Sequence, residues 1–224
     1  AFSRSRYPFG EGELFYTSDA CGKIGPWQML FSVSGFYGKA RGIWDDTGTN
    51  QTTSRNATST RFHDKDVDAW GLAFKTFIPI IPEKKGNKAG ALSLSGQAFA
   101  TQNPSWYIPS DFAANPYQRR DGSYAAPLLV GGWGQVTYFF TDKLFISGWY
   151  GNMAYKLSHR YQTANTGAIQ SEQQYIVNLS YDVNPAMRFG IEYDRVNTRY
   201  GWYNNGLDRS GSLNSVRVGA WYFF

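Results

Sequence analysis

Apolar and polar positions alternate along most of the chain. From 213 to 224, Val216, Val218, Ala220, Tyr222 and Phe224 fall on one face, against Ser215, Arg217, Gly219, Trp221 and Phe223. A period of two is the mark of a half-buried β-strand. The same alternation recurs upstream over 187–197, 174–183, 143–156, 128–140, 89–101, 67–80 and 28–44. In 187–197, Met187, Phe189, Ile191 and Tyr193 oppose Arg188, Gly190, Glu192 and Asp194. These segments predict eight strands. Residues 1–25 hold a ninth candidate around "GELFYTS", with poorer alternation. The chain thus divides into an N-terminal segment, 1–25, that adds a strand or a loop, and a β-structure over 26–224.

The connectors alternate in length. Short ones are 81–88, 141–142 and 183–186, the last holding an Asn-Pro turn; long ones are 45–66, 102–127, 157–173 and 198–212. Tyr138, Phe139, Phe140, Tyr222, Phe223 and Phe224 gather at the short-turn end, with Tyr37, Trp44, Trp202 and Tyr203 near the other. A soluble sandwich can alternate its loops by chance, but it has no cause to girdle both ends with rings. Short turns on one side, long polar loops on the other and aromatic belts between them are the features of outer-membrane barrels. The expected fold is all-β: an antiparallel transmembrane β-barrel with short periplasmic turns and long extracellular loops. The terminal Phe224 is expected to be covered by lipid.

Composition agrees with strands. The chain has 16 Tyr, 16 Phe, 8 Trp and 24 Gly but only 3 Met among 224 residues, which is strand chemistry rather than helix chemistry. Mean hydropathy is −0.45, and no run approaches the roughly 18 apolar residues of a transmembrane helix. A barrel strand escapes that test, because only alternate residues must be apolar. The start "AFSRSRYPFG" lacks Met and an apolar leader, as expected of a processed chain or a piece of a longer one. Cys21 is the single cysteine, read as an incidental thiol near a turn.

The stretches "GGWGQVTYFFTDKLFISGWYG", "QQYIVNLSYDVNPAMRFGIEYDRVNTRYGW" and "GSLNSVRVGAWYFF" resemble the C-terminal strands of larger Gram-negative porins of the DcaP-like type. Tyr181, Asp182, Pro185, Ala186, Arg188, Gly190, Glu192 and Tyr193 match a hairpin typical of that family. The resemblance covers 128–224. It implies a trimer of sixteen-stranded barrels that passes small solutes, dicarboxylates in some members, and a terminal aromatic read by the assembly machinery. This chain is too short for that many strands. It is expected to be the C-terminal part of such a porin or a smaller relative.

Parity assigns a lumen-facing set. Its pore-lining candidates are Lys75, Ser93, Ser95, Gln97, Gln135, Asp182, Arg188, Glu192, Asp194 and Arg217, joined by Ser32, Ser34, Thr137, Asn178, Ser180 and Ser215. So many Ser and Gly would leave a narrow barrel underfilled, which favours a wider one with water inside. Lys75, Arg188 and Arg217 balance Asp182, Glu192 and Asp194, so the lumen is expected to be near neutral. The net charge of +5 then lies elsewhere. A weak anion preference rests on Arg119 and Arg120, which with Asp111 mark 102–127 as a candidate constriction loop. The other reading turns this loop outward, its arginines on lipopolysaccharide phosphates. Arg188, Glu192 and Asp194 read either as an ion-pair ladder bracing the wall or as a solute-binding group.

Catalysis has little to stand on. His63 and His159 both fall in predicted loops, and Ser158 beside His159 would face the opposite way in a strand. Asn50 and Asn56 sit in N-x-T sequons within a Thr/Asn-rich loop. No cofactor and no metal is implied, and scattered basic residues do not suggest nucleic acid. The expected function is non-enzymatic: a bacterial outer-membrane porin for passive diffusion of small hydrophilic solutes, contacting lipid and lipopolysaccharide. The alternative is a narrow closed barrel whose loops carry a binding, adhesion or lipid-modifying role.

Overall fold

The computed structural model describes residues 4–5, 8–45, 62–103, 116–119, 122–164, 168–201 and 209–223. Most of them form one antiparallel sheet. In chain order its strands are β1 (Arg4–Ser5), β2 (Gly10–Ile24), β3 (Trp27–Asp45), β4 (Phe62–Ile81) and β5 (Leu92–Gln102). A small hairpin follows, β6 (Tyr117–Gln118) with β7 (Tyr124–Ala125). The sheet resumes with β8 (Leu128–Phe139) and β9 (Leu144–Lys156); after the helix α1 (His159–Ala164) come β10 (Ile169–Asn184), β11 (Met187–Tyr200) and β12 (Ser210–Tyr222).

Each long strand pairs with the next, so the sheet is a meander. β1 and β2 lie end to end along the same edge of β3, with Ser5 opposite Ala40 and Gly10 opposite Tyr37. The ninth candidate in 1–25 is therefore a full strand, longer than "GELFYTS". Among the described residues β12 pairs only with β11, and β2 only with β3. The expected barrel is thus not closed: the sheet has two free edges. β2 and β12 also run in the same direction, being separated by an even number of antiparallel steps. Joining them directly would require a parallel pair, foreign to the rest of the sheet.

The short turns meet the conformational demands of hairpins. In the turn between β4 and β5, Lys84 and Asn87 exchange backbone hydrogen bonds at 3.0 Å, and both central residues, Lys85 and Gly86, have positive φ. Primed two-residue turns require that conformation, because their twist matches that of the strands. Between β2 and β3, Gly25 supplies a positive φ ahead of Pro26. These turns are tied to one another. The Gly25 amide donates to Glu83 Oε2 at 2.6 Å, the Lys88 amide to Asp142 Oδ1 at 3.0 Å, Lys143 Nζ to the Val183 carbonyl at 2.8 Å, and the Phe223 amide to the Ala186 carbonyl at 2.8 Å. A line of links thus crosses the whole short-turn end.

At the opposite end, two elements fall inside predicted loops. The segment 102–127 carries the β6–β7 hairpin, and 157–173 carries α1, where the Ser158 hydroxyl accepts from the Tyr161 amide at 3.2 Å in the manner of an N-cap. Tyr117 meets the ring of Tyr161 edge-on at 5.3 Å, so hairpin and helix pack together. No helix among the described residues is long and apolar enough to cross a membrane.

The two faces of the sheet are inverted relative to a soluble protein. On one, Leu14, Leu72, Val177, Ile191 and Val218 are exposed, Val218 to 79%. On the other, Ser32, Thr101, Ser180 and Asp194 are buried, Asp194 with only 2% exposure left. The polar side chains cover one another on one face while the apolar ones stand exposed on the other.

Candidate functional site

Strand register collects the polar candidates on one face. The pairings Ser32–Lys75–Gln97, Ser93–Thr137–Ser147–Asn178–Glu192–Arg217 and Ser95–Gln135 run across neighbouring strands. Asp182 faces Arg188, and Asp194 faces Ser215. All ten pore-lining candidates therefore share the inner face.

Two charged groups occupy it. On β2–β4, Lys75 Nζ reaches Glu13 Oε1 at 3.3 Å above a hollow of about 690 Å³ lined by Glu11, Ser34, Gln97 and Thr101. On β10–β12, Arg188 is bidentate to Asp182, at 2.6 and 3.1 Å, and its guanidinium lies 4.8 Å from the centre of the Phe145 ring. Arg217 reaches Asp194 at 2.5 Å and Glu192 at 3.4 Å. Asp194 also accepts from Gln174 Nε2 at 3.0 Å. A planar fork against a carboxylate is the geometry in which Arg pairs best. The ladder reading of this strand therefore matches the contacts, with two partners from outside the expected trio, Asp182 and Arg217.

The charges on this face are more numerous than the six expected, and they are unevenly distributed. Register adds Glu11, Glu13 and Glu172 to this face through Phe36, Ser34 and Thr198. Lys23 and Lys65 share its parity but stand at the two ends of the sheet. Away from the ends, Glu11, Glu13, Glu192 and Asp194 meet Lys75 and Arg217, so the middle of the face is acidic. The missed carboxylates lie where alternation is weak, in the Gly-Glu-Gly-Glu start of β2 and at the loop end of β10.

Of the candidate constriction residues, Arg119 is exposed in the β6–β7 turn, its amide donating to the Ser123 carbonyl at 2.7 Å. Asp111 and Arg120 lie outside the described residues, as do Trp202, Tyr203, Phe224, Asn50 and Asn56. His159 is not in a loop but opens α1 and is exposed. His63 falls in β4. Cys21 is exposed on β2 with its thiol 3.8 Å from Met29 Sδ. Among the described residues no group of three His, Cys, Asp or Glu is placed to hold a metal ion.

The sequence reading also missed how the glycines of this face are used. A Cβ at Gly151 would stand 2.3 Å from the Trp149 ring, one at Gly71 2.3 Å from Phe36, one at Gly131 2.8 Å from Phe99, and one at Gly219 2.8 Å from Trp221. Each ring folds down over a bare glycine. The pairs Trp149-x-Gly151 and Gly219-x-Trp221 are visible in the sequence as two residues of one parity, one bulky and one absent.

No protein-family model matches the chain, and no curated protein matches it. Among solved structures, the outer membrane channel DcaP of Acinetobacter baumannii superposes with a TM-score of 0.67 at 17% identity, over 98% of this chain and 53% of that one. A NanC porin structure aligns with a TM-score of 0.44 at 16% identity, over 96% of this chain and 94% of that one, too loosely to bear on the argument. The chain spans about half the length of the DcaP channel. The nine-stranded meander therefore has the fold of roughly half of an outer-membrane channel, and it resembles the DcaP-like porins.

Proposed function

We propose that this chain forms part of the wall of a bacterial outer-membrane porin, through which small hydrophilic solutes diffuse passively along the polar face. The observation that carries this reading is the inversion of the sheet: exposed apolar side chains on one side and buried serines, threonines and ion pairs on the other. Water would reject the first face, and a bilayer accepts it. The likeness in fold to a solved outer-membrane channel supports the same reading.

Lipid tolerates no open sheet edge, since each unpaired backbone group there costs several kcal/mol. Closure thus requires further strands beside β2 and β12, from a longer polypeptide or from another chain; by resemblance to its family the assembly is a trimer. The acidic middle of the polar face favours a weak preference for cations over the anion preference that Arg119 and Arg120 suggest. The mechanism is solvation and field within a water-filled lumen, with no covalent step.

Reconstitution of the full native protein in a planar bilayer tests this. Stepwise, steady conductance with a reversal potential of the cation-selective sign under a salt gradient is expected. A membrane-inserted protein that never conducts would move the function to the long loops.

A further inference from the structure

We infer that the polar face between Trp149 and Trp221 is a binding track for linear oligosaccharides. This rests on the channel reading above and names the solute class that the wall would retain. The outer edges of the two indoles close over glycines, Trp149 over Gly151 with Trp133 stacked beside it at 6.3 Å, and Trp221 over Gly219 and Gly190. The bare glycines leave room for the indoles to lean over the strand rather than stand up from it. Both indoles line one hollow of about 480 Å³, together with Asn178, Glu192 and Gln135.

The polar groups of this hollow fit hydroxyls better than ions. Within the hollow the one guanidinium is that of Arg188, which is held by both oxygens of Asp182 and lies against the ring of Phe145. Glu192, by contrast, holds only long contacts, 3.4 Å from Asn178 Nδ2 and 3.4 Å from Arg217, and retains capacity to accept from O–H donors. A flat apolar ring face beside amides and an under-engaged carboxylate matches a pyranose, which has C–H groups on its faces and hydroxyls at its edge. Strand spacing and residue rise put the indoles on the order of 20 Å apart. A chain of several sugar units spans that distance, and a single sugar does not.

The test is single-channel current through the full native protein with added maltohexaose, against a polyethylene glycol of equal hydrodynamic size as a non-adsorbing control. The sugar is expected to block at concentrations where the polymer does not. Trp149→Ala and Trp221→Ala are each expected to weaken the block about tenfold, the worth of one good apolar contact. Trp149→Phe and Trp221→Phe are expected to retain most of it, which guards against a mere folding defect. Open channels that respond to sugar and polymer alike would overturn the track while leaving the porin reading intact. Without any conductance the channel reading falls, and quenching of tryptophan fluorescence by maltohexaose in detergent decides the track alone: quenching that the double alanine variant lacks sustains it, and none ends it.

Discussion

Arg217 on β12 bonds to Asp194 on β11 at 2.5 Å, although the first side chain is 58% exposed and the second 2%. The carboxylate is sunk against the sheet and the guanidinium caps it from the polar face. Removing the cap leaves Asp194 with Gln174 as its remaining partner among these contacts. Arg217→Ala is expected to destabilise the sheet by about 1–3 kcal/mol, toward the low end because the arginine is solvated. Urea unfolding followed by the loss of gel-mobility shift measures this, and Asp194→Asn in the same background should recover part of it.

Adjacent residues on β10 should respond in opposite ways. Val177 is 48% exposed on the apolar face, and Asn178 lies on the polar one. Val177→Arg is expected to cost about 2–4 kcal/mol of membrane stability if it sits near the bilayer middle. Asn178→Arg should insert normally and alter conductance only. Refolding yield into lipid vesicles distinguishes the two.

If the polar face lines a channel as proposed, ion selectivity should follow its acidic middle. Lys75 sits 3.3 Å from Glu13, so Lys75→Gln releases a carboxylate and is expected to raise the cation-to-anion permeability ratio roughly twofold, the effect of one partly screened charge. Glu192→Gln should lower it by a similar factor. Reversal potentials under a fixed salt gradient read both.

Gly22 has φ of +73°, and a Cβ there would stand 2.5 Å from Pro82 Cβ. Gly22→Ala is expected to destabilise the turn end by about 1–3 kcal/mol through crowding and a left-handed backbone. Thermal unfolding of the variant checks it.

The free edges make a topological prediction. Since β2 and β12 run in the same direction, an odd number of added strands closes an all-antiparallel barrel with an even total. A density map of the native assembly that counts an even number of added strands would refute this.

Period-two alternation placed the strands because a two-sided environment acts on each of them with the same sign at every second residue. It weakened where that pressure lapses. In β2 the register is interrupted between Ser18 and Lys23, and Phe15 falls on the polar face opposite Ser32, so "LFY" reads as a run rather than an alternation. α1 is six residues long, too short to show a helical period. The ion pairs within the face were only partly legible. Asp182 and Arg188 face each other across a tight turn and can be paired on sight, whereas Arg217 with Asp194 requires the register of a hairpin whose loop is long. Closure was illegible in principle, since alternation reports two faces but not how many strands share them.

The links that cross the short-turn end each use a main-chain group as one partner, from Gly25 with Glu83 to Phe223 with Ala186. They behave like a cooper's hoop, fixing the spacing of the staves at one rim while the other rim is free to diversify. Substitutions in the long loops can then reshape that end of the sheet, and whatever meets it, without altering the spacing of the strands at the short-turn end.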